Sequence, residues 1–120
     1  MFCLDTYALA EIGEGNPKFL DFLNKEFVIT DFTMAEYYSV LYKDNKEDKA
    51  IYWHSRLSAF CEPVSRDILI KALKYRIDNK KKNLSIFDCI GYIYSLENNL
   101  QFVTGDKEFE NQEGVVFIKK

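Results

Sequence analysis

The chain is predicted to fold as an α/β protein, a three-layer α/β/α domain around a mostly parallel central sheet. Three observations lead there. Short apolar runs of strand length alternate along the chain with longer stretches of helical periodicity. Only 2 Pro and 5 Gly interrupt 120 residues, too few for an all-β array of tight turns. Hydrophobic residues make up 48%, with 10 Phe and 8 Tyr, enough to bury a core between layers. With no repeat, low-complexity segment or internal linker in view, a single domain over residues 1–120 is expected.

Phe2-Cys3-Leu4 reads as a buried strand closed by Asp5, and Thr6 to Glu11 as a short helical turn. Gly13 to Asn16 is a break. Pro17 suits the first turn of a helix whose apolar face, Phe19, Leu20, Phe22 and Leu23, runs to about Lys25. Phe27-Val28-Ile29-Thr30 is a second strand. A helix is expected from about Thr33 to Lys43, a charged turn over Asp44 to Asp48, and a helix from Lys49 to Phe60 with Ala50, Trp53, Leu57 and Phe60 at helical spacing. Pro63 and Val64 suggest a short strand. Arg66 to Asn79 is the next helix, with Leu69, Ala72, Leu73 and Ile77 expected inward, followed by a basic loop at Lys80-Lys81-Lys82. Ser85 to Asn98 has so little polar face that it should be covered on several sides. Leu100 to Thr104 is a strand, Gly105-Asp106 a turn, and Val115 to Ile118 a last strand.

The net charge of −3 carries no overall nucleic-acid signature, so any such binding must use a local basic patch. The cysteines, Cys3, Cys61 and Cys89, are odd in number, lack CxxC spacing and sit among apolar neighbours; they read as buried side chains of a reducing compartment. Phe2 to Ala10 is apolar but contains Asp5, lacks a basic start and is too short to span a bilayer. A soluble, cytoplasmic protein with no membrane association is expected.

Ligands of open α/β sheets bind beyond the carboxyl ends of the strands. Four acids fall there. Asp5 closes the first strand, Glu36 lies in the first turn of the helix after the second, Asp88 in the first turn of the near-apolar helix, and Asp106 just past the fourth strand. Each also has a structural reading. Thr33-Met34-Ala35-Glu36 fits a capping box, Ser85-Ile86-Phe87-Asp88 fits the same motif with Asp, and Asp106 follows Gly105 in a turn. Asp5 resists such an explanation, because a charge directly after Phe-Cys-Leu is costly unless it is paired or coordinates something. Four gathered carboxylates repel, which favours a cation among them. A set without His or Cys suits hard Mg²⁺ or Mn²⁺, and helix N-termini should help keep Glu36 and Asp88 ionised.

The residues then point to a family. Phe2-Cys3-Leu4-Asp5-Thr6, Thr33-Met34-Ala35-Glu36-Tyr37, Ser85-Ile86-Phe87-Asp88-Cys89-Ile90 and Phe102-Val103-Thr104-Gly105-Asp106-Lys107-Glu108-Phe109 resemble, in order and approximate spacing, the blocks of PIN domains, particularly the VapC toxins of toxin–antitoxin pairs. The resemblance implies a PIN-like fold and metal-dependent hydrolysis of RNA phosphodiesters to a 5′-phosphate and a 3′-hydroxyl. It places the acidic quartet on Asp5, Glu36, Asp88 and Asp106. Asp5 and Asp106 would ligate Mg²⁺ or Mn²⁺, Asp88 would do so directly or through water, and Glu36 would ligate or orient the water. Thr104 matches a hydroxyl that orders the site, and Thr6 a position where a small polar residue is common. It also implies a cognate antitoxin whose tail crosses the acidic groove, with an aromatic surface over Tyr37 to Tyr42 and Ile51 to Trp53 to receive it or to form a homodimer. One departure is that relatives carry an Ala-rich helix where this chain has Gly91, Tyr92, Tyr94 and Ser95.

Other chemistries fit less well. The only histidine, His54, argues against a His-pair ribonuclease, a multi-His zinc hydrolase or a Ser-His-Asp triad. A haloacid-dehalogenase-like phosphatase needs a second acid where Tyr7 stands, a receiver domain needs paired acids near the first strand, and neither a Walker A nor a G-x-G-x-x-G motif occurs. Arg66, Lys71, Lys74, Arg76, Lys80, Lys81 and Lys82 against Asp67 and Asp78 offer an RNA-backbone contact, with Lys80, Lys81 and Lys82 foremost; a solvated helix face with a Lys74–Asp78 pair is the plain alternative. For function, the alternatives are a housekeeping PIN nuclease of RNA maturation and a PIN-fold interaction module without catalysis.

Overall fold

The computed structural model describes residues 1–120. Five strands, β1 (Phe2–Leu4), β2 (Phe27–Thr30), β3 (Cys61–Glu62), β4 (Gln101–Thr104) and β5 (Val115–Phe117), form one sheet in the order β3-β2-β1-β4-β5. Every pairing is parallel, so the expected mostly parallel sheet is wholly so. Six helices connect them: α1 (Thr6–Gly13), α2 (Pro17–Leu20), α3 (Asp31–Lys43), α4 (Glu47–Leu57), α5 (Arg66–Asp78) and α6 (Ile86–Glu97). None is long and apolar enough to cross a membrane.

The period of two in the strands builds the layers. Leu4, Ile29 and Val103 pack with Leu9, Phe19, Met34, Tyr37 and Leu41 on the face covered by α1 to α4. Their neighbours Cys3 and Phe102 pack with Ala72, Cys89, Ile90, Tyr92 and Phe109 on the face covered by α5 and α6. Parallel crossovers are right-handed, so a chain that winds from β1 to β2 to β3 and then returns to the other side of β1 must change faces. That return, through α5 and α6, makes the gap between β1 and β4 the point where strand order reverses.

Several expected boundaries move, each for a local reason. α3 starts at Asp31, because the Thr30 hydroxyl accepts the Thr33 N–H at 3.0 Å and acts as the cap. Thr33 is therefore inside the helix, the Thr33–Glu36 capping box does not form, and Glu36 lies in the second turn rather than the first. α4 starts at Glu47, with Glu47 and Asp48 favourably placed at its positive end, and tightens into a 3-10 turn over Ser58–Phe60. The third strand is Cys61–Glu62 and stops before Pro63, which has no N–H for the ladder. α5 follows its predicted range but not its predicted face. Ala72 is buried, whereas Leu73 and Ile77 are 48% and 68% exposed. Lys71, on the same helix, pairs with Glu97 of α6.

The ring of Phe102 sits in a fully buried aromatic group, 5.3 Å from Phe109 and 5.8 Å from Tyr92 between centroids, and fills the space that Gly91 leaves on α6. Phe102→Ala is expected to lower stability by about 3–5 kcal/mol, read from chemical denaturation, because a rigid sheet-and-helix wall cannot collapse onto the void.

Candidate active site

The structure brings Asp5, Glu36, Asp88 and Asp106 to the carboxyl edge of the sheet, around the reversal between β1 and β4. Asp5 follows β1 and caps α1, its Oδ1 accepting the Ala8 N–H at 2.8 Å. Its residue is 1% exposed, and Oδ2 is buried without a hydrogen-bond partner. Asp106 follows β4 and caps a 3-10 turn over Lys107–Phe109, its Oδ1 accepting the Glu108 N–H at 3.0 Å. Asp88 enters from α6, where the Ser85 hydroxyl accepts the Asp88 N–H at 3.0 Å; that half of the expected capping motif forms. Glu36 reaches in from α3 and accepts a short hydrogen bond from the Thr6 hydroxyl at the start of α1.

Electrostatics ties the four together. Burial, then the negative charges of Asp88 and Asp106, hold the Asp5 carboxyl well above the usual carboxylate range. Burial, then Glu36 and Asp106, push Asp88 up to about 7. At Asp88, burial and like charge therefore work against the α6 N-terminus, which was expected to help keep this acid ionised. Thr104, fully buried, accepts the Asp106 N–H at 3.0 Å through its hydroxyl. That hydroxyl also lies beside the Asp5 carboxyl and favours its ionised form, though not in hydrogen-bond geometry with it.

A hard divalent cation fits this donor set. Every donor is a carboxylate or hydroxyl oxygen, and the orphaned Asp5 Oδ2 is a buried acceptor that nothing in the chain satisfies. By contrast the other buried acid, Glu11, is served by Asn16 at 2.8 Å and Lys120 at 3.5 Å. As the side chains stand, no three His, Cys, Asp or Glu groups close into a ready ligand cage.

Two site residues escaped the sequence reading. A Cβ on Gly105 would lie 2.1 Å from the Tyr7 ring, so this glycine is required by close approach, with Tyr7 of α1 packed onto the turn that aims Asp106. A glycine directly before the acid was the only available signal, and it read equally well as an ordinary turn. Of the basic loop Lys80-Lys81-Lys82, only Lys82 is tied to the acid-bearing turn after β4. Lys80 and Lys81 are exposed, while Lys82 Nζ donates to the Glu108 carbonyl at 3.3 Å. His54 is exposed on α4, edge-on to Tyr38 with 6.2 Å between centroids, and no acid-edge contact involves it.

The frame is thus an all-parallel α/β sheet with four acids gathered where its strand order reverses. The PIN domain model matches residues 2–115, and the chain belongs to the PIN domain family. A search of curated proteins gave no significant match. Among solved structures, the chain is similar to a toxin–antitoxin complex from Klebsiella pneumoniae (22% identity, all of both chains covered, TM-score 0.80). It is similar to the sarcin-ricin loop cleaving toxin VapC20 of Mycobacterium tuberculosis (16% identity, all of both chains, TM-score 0.80). It is also similar to FitAcB from Neisseria gonorrhoeae (18% identity, 98% of this chain and 97% of that chain, TM-score 0.68). At these identities the likeness is one of fold.

Two outcomes test the geometry without reference to activity. Burial and like charge push the folded Asp88 carboxyl up from 3.8 to about 7, so the folded state is expected to hold more protons than the unfolded one between these values. Stability in EDTA is therefore expected to fall as pH rises through that window, and Asp88→Asn should flatten the decline in calorimetric scans. Equal slopes for both proteins would remove Asp88 from the acid cluster. Gly105→Ala is expected to lose about 1–3 kcal/mol through the clash with Tyr7, measured by thermal melting.

Proposed function

We propose that the chain is a Mg²⁺- or Mn²⁺-dependent endoribonuclease, the toxin of a VapBC-type pair, working in the cytoplasm. The observation that carries this is the buried Asp5 carboxyl: one oxygen is spent on the α1 backbone, the other is buried without a partner, and the charges of Asp88 and Asp106 act on it. A buried carboxyl with one oxygen unserved, whose burial and like-charged neighbours disfavour ionisation, favours a cation site over a structural one. When bound, Mg²⁺ or Mn²⁺ supplies positive charge against the scissile phosphate and activates the attacking water.

The chain's own residues have separable roles in this reading. Asp5 and Asp106 hold the ion, each with the rotamer fixed by a backbone N–H on its other oxygen. Thr104 steadies the Asp106 turn and lies beside the Asp5 carboxyl. Glu36, held by Thr6, orients water on the far side, and Asp88 accepts or shares a proton as the neighbouring charges change. Lys80, Lys81 and Lys82 meet the RNA backbone beside the acids.

The toxin reading is supported by a second surface. Tyr42 of α3 and Ile51 and Tyr52 of α4 are 61%, 55% and 52% exposed, apolar surface that an antitoxin segment or a second copy would cover. A housekeeping nuclease would share the acids but has no need of this face. The structural relatives include a toxin–antitoxin complex and an RNA-cleaving toxin, which fits the same assignment.

Asp5→Asn is the discriminating variant. Asn caps a helix as well as Asp, so the Ala8 contact and the fold should survive while the ligand charge is lost. RNA cleavage by the purified chain should require Mg²⁺ or Mn²⁺, stop in EDTA, and fall on the order of a thousandfold in Asp5→Asn, the equivalent of about 4 kcal/mol. Expression of the wild-type chain should slow growth, and Asp5→Asn or co-expression of an adjacent small gene product should restore it. Cleavage in excess EDTA would reject the metal site. A harmless wild-type chain that still cleaves RNA would favour the housekeeping reading.

A further inference from the structure

A second concavity, of about 490 Å³, lies at the end of α5 and the loop after it. Leu73, Ile77 and Leu84 give it an apolar floor, Arg76, Lys80 and Lys82 a cationic rim, and Asn83 a neutral amide; no acid lines it. The walls are tied down. Arg76 Nε donates to the Leu84 carbonyl at 3.1 Å, and Lys82 Nζ to the Glu108 carbonyl at 3.3 Å. These ties make the cavity and the acid edge two sides of one loop. Leu84 immediately precedes Ser85, which caps the helix bearing Asp88, and the Glu108 N–H is bonded to the Asp106 carboxylate.

An apolar floor inside a purely cationic rim selects a ligand that is flat and weakly polar in one part and anionic in another. A nucleotide has that division, with its base and its phosphate. A second copy of this chain does not. A two-fold contact centred here would set Arg76, Lys80 and Lys82 against their own equivalents, with no lining acid to meet them. We propose that this cavity is a base-binding subsite for a nucleotide flanking the scissile phosphate of a single-stranded RNA. The base lies on Leu73, Ile77 and Leu84 with the Arg76 guanidinium plane against it, the Asn83 amide meets a base edge, and Lys80 contacts the adjoining phosphate. The subsite rests on the RNA-nuclease reading but acts through binding, so the two can fail separately.

Because Leu73 and Ile77 are about half or more exposed, polar substitutions there should leave the fold intact, which melting curves would verify. In the Asp5→Asn full-length chain, anisotropy with a labelled single-stranded RNA should show Leu73→Asn/Ile77→Asn weakening affinity on the order of tenfold, with an unchanged dependence on salt. Lys80→Gln should instead lower the slope of log affinity against log salt by about 0.7, the share of one phosphate contact. Duplex RNA of the same sequence, whose bases are stacked away, should not sense the apolar pair. If wild type cleaves RNA yet both variants bind the single strand as before, the subsite is overturned and the nuclease stands. If sedimentation shows the apolar variant losing RNA only as a dimer falls to monomers, the face joins two copies and the subsite is likewise overturned. Strand binding that both variants weaken, in a wild-type chain that cleaves nothing, would keep the cavity as a base-binding site for single-stranded RNA and overturn both its place beside a scissile phosphate and the nuclease.

Discussion

The buried carboxyl at the end of β1 is the constraint on which the architecture turns. Asp5 is placed against the core by the strand that precedes it, and it cannot be solvated there. An unsatisfied buried polar atom costs about 1–3 kcal/mol, and more when charged, so a chain gains nothing in stability by keeping one. Asp5 Oδ2 is such an atom, and the nearest strong charges, Asp88 and Asp106, are of its own sign. Burial and the crowding of like groups shift the Asp5 and Asp88 carboxyls toward their neutral forms, and the rest of the edge has to keep them close. The two hydrophobic clusters on either face of the sheet do so by fixing the strand ends and the α6 N-terminus from which the acids project.

Sheet order converts that local strain into a site. Winding β1-β2-β3 in one direction and returning through α5 and α6 leaves β1 and β4 adjacent, with their following loops diverging to opposite faces. The crevice between those loops is the one place on the edge where residues distant in sequence meet without a connecting segment across them. Asp5 and Thr104-Gly105-Asp106 line it because they stand at the carboxyl ends of those two strands. Tyr7 closing onto Gly105 sets how near the two loops come.

Much of this was legible in the sequence, and the parts that were not have specific causes. Phe2-Cys3-Leu4 and Phe102-Val103-Thr104 announce central strands by apolar content alone, and acids directly after them announce the edge. The start of α3 was misread because Thr30 and Thr33 are equally good caps three residues apart, and only the backbone shows which one lies outside the helix. Leu73 and Ile77 were assigned inward because an apolar residue at helical spacing normally faces a core. On α5 the packed side is instead carried by small Ala72, with Leu69 and Tyr75 partly covered beside it, and the larger aliphatics face solvent. The Asp88 protonation tendency was unreadable for a different reason. A helix N-terminus is visible in sequence, but the desolvation that opposes it depends on chain segments that arrive from elsewhere.

For Asp5 and Asp106, serving as a structural cap does not exclude a second role for the same side chain. A carboxylate has two oxygens. Asp5 and Asp106 each give one to a backbone N–H, of Ala8 and of Glu108, and so cap the turns that follow their strands. That bond fixes the side-chain torsions at the level of the backbone, and the second oxygen is aimed with little remaining rotamer freedom. Thr104 extends the same economy by accepting the Asp106 N–H while its hydroxyl leans on Asp5. The residues that terminate the strands, start the next turns and orient the acidic edge are therefore the same few residues. A substitution that preserves the cap but removes the charge, as Asn for Asp does, separates the two duties, whereas one that removes the side chain altogether confounds them.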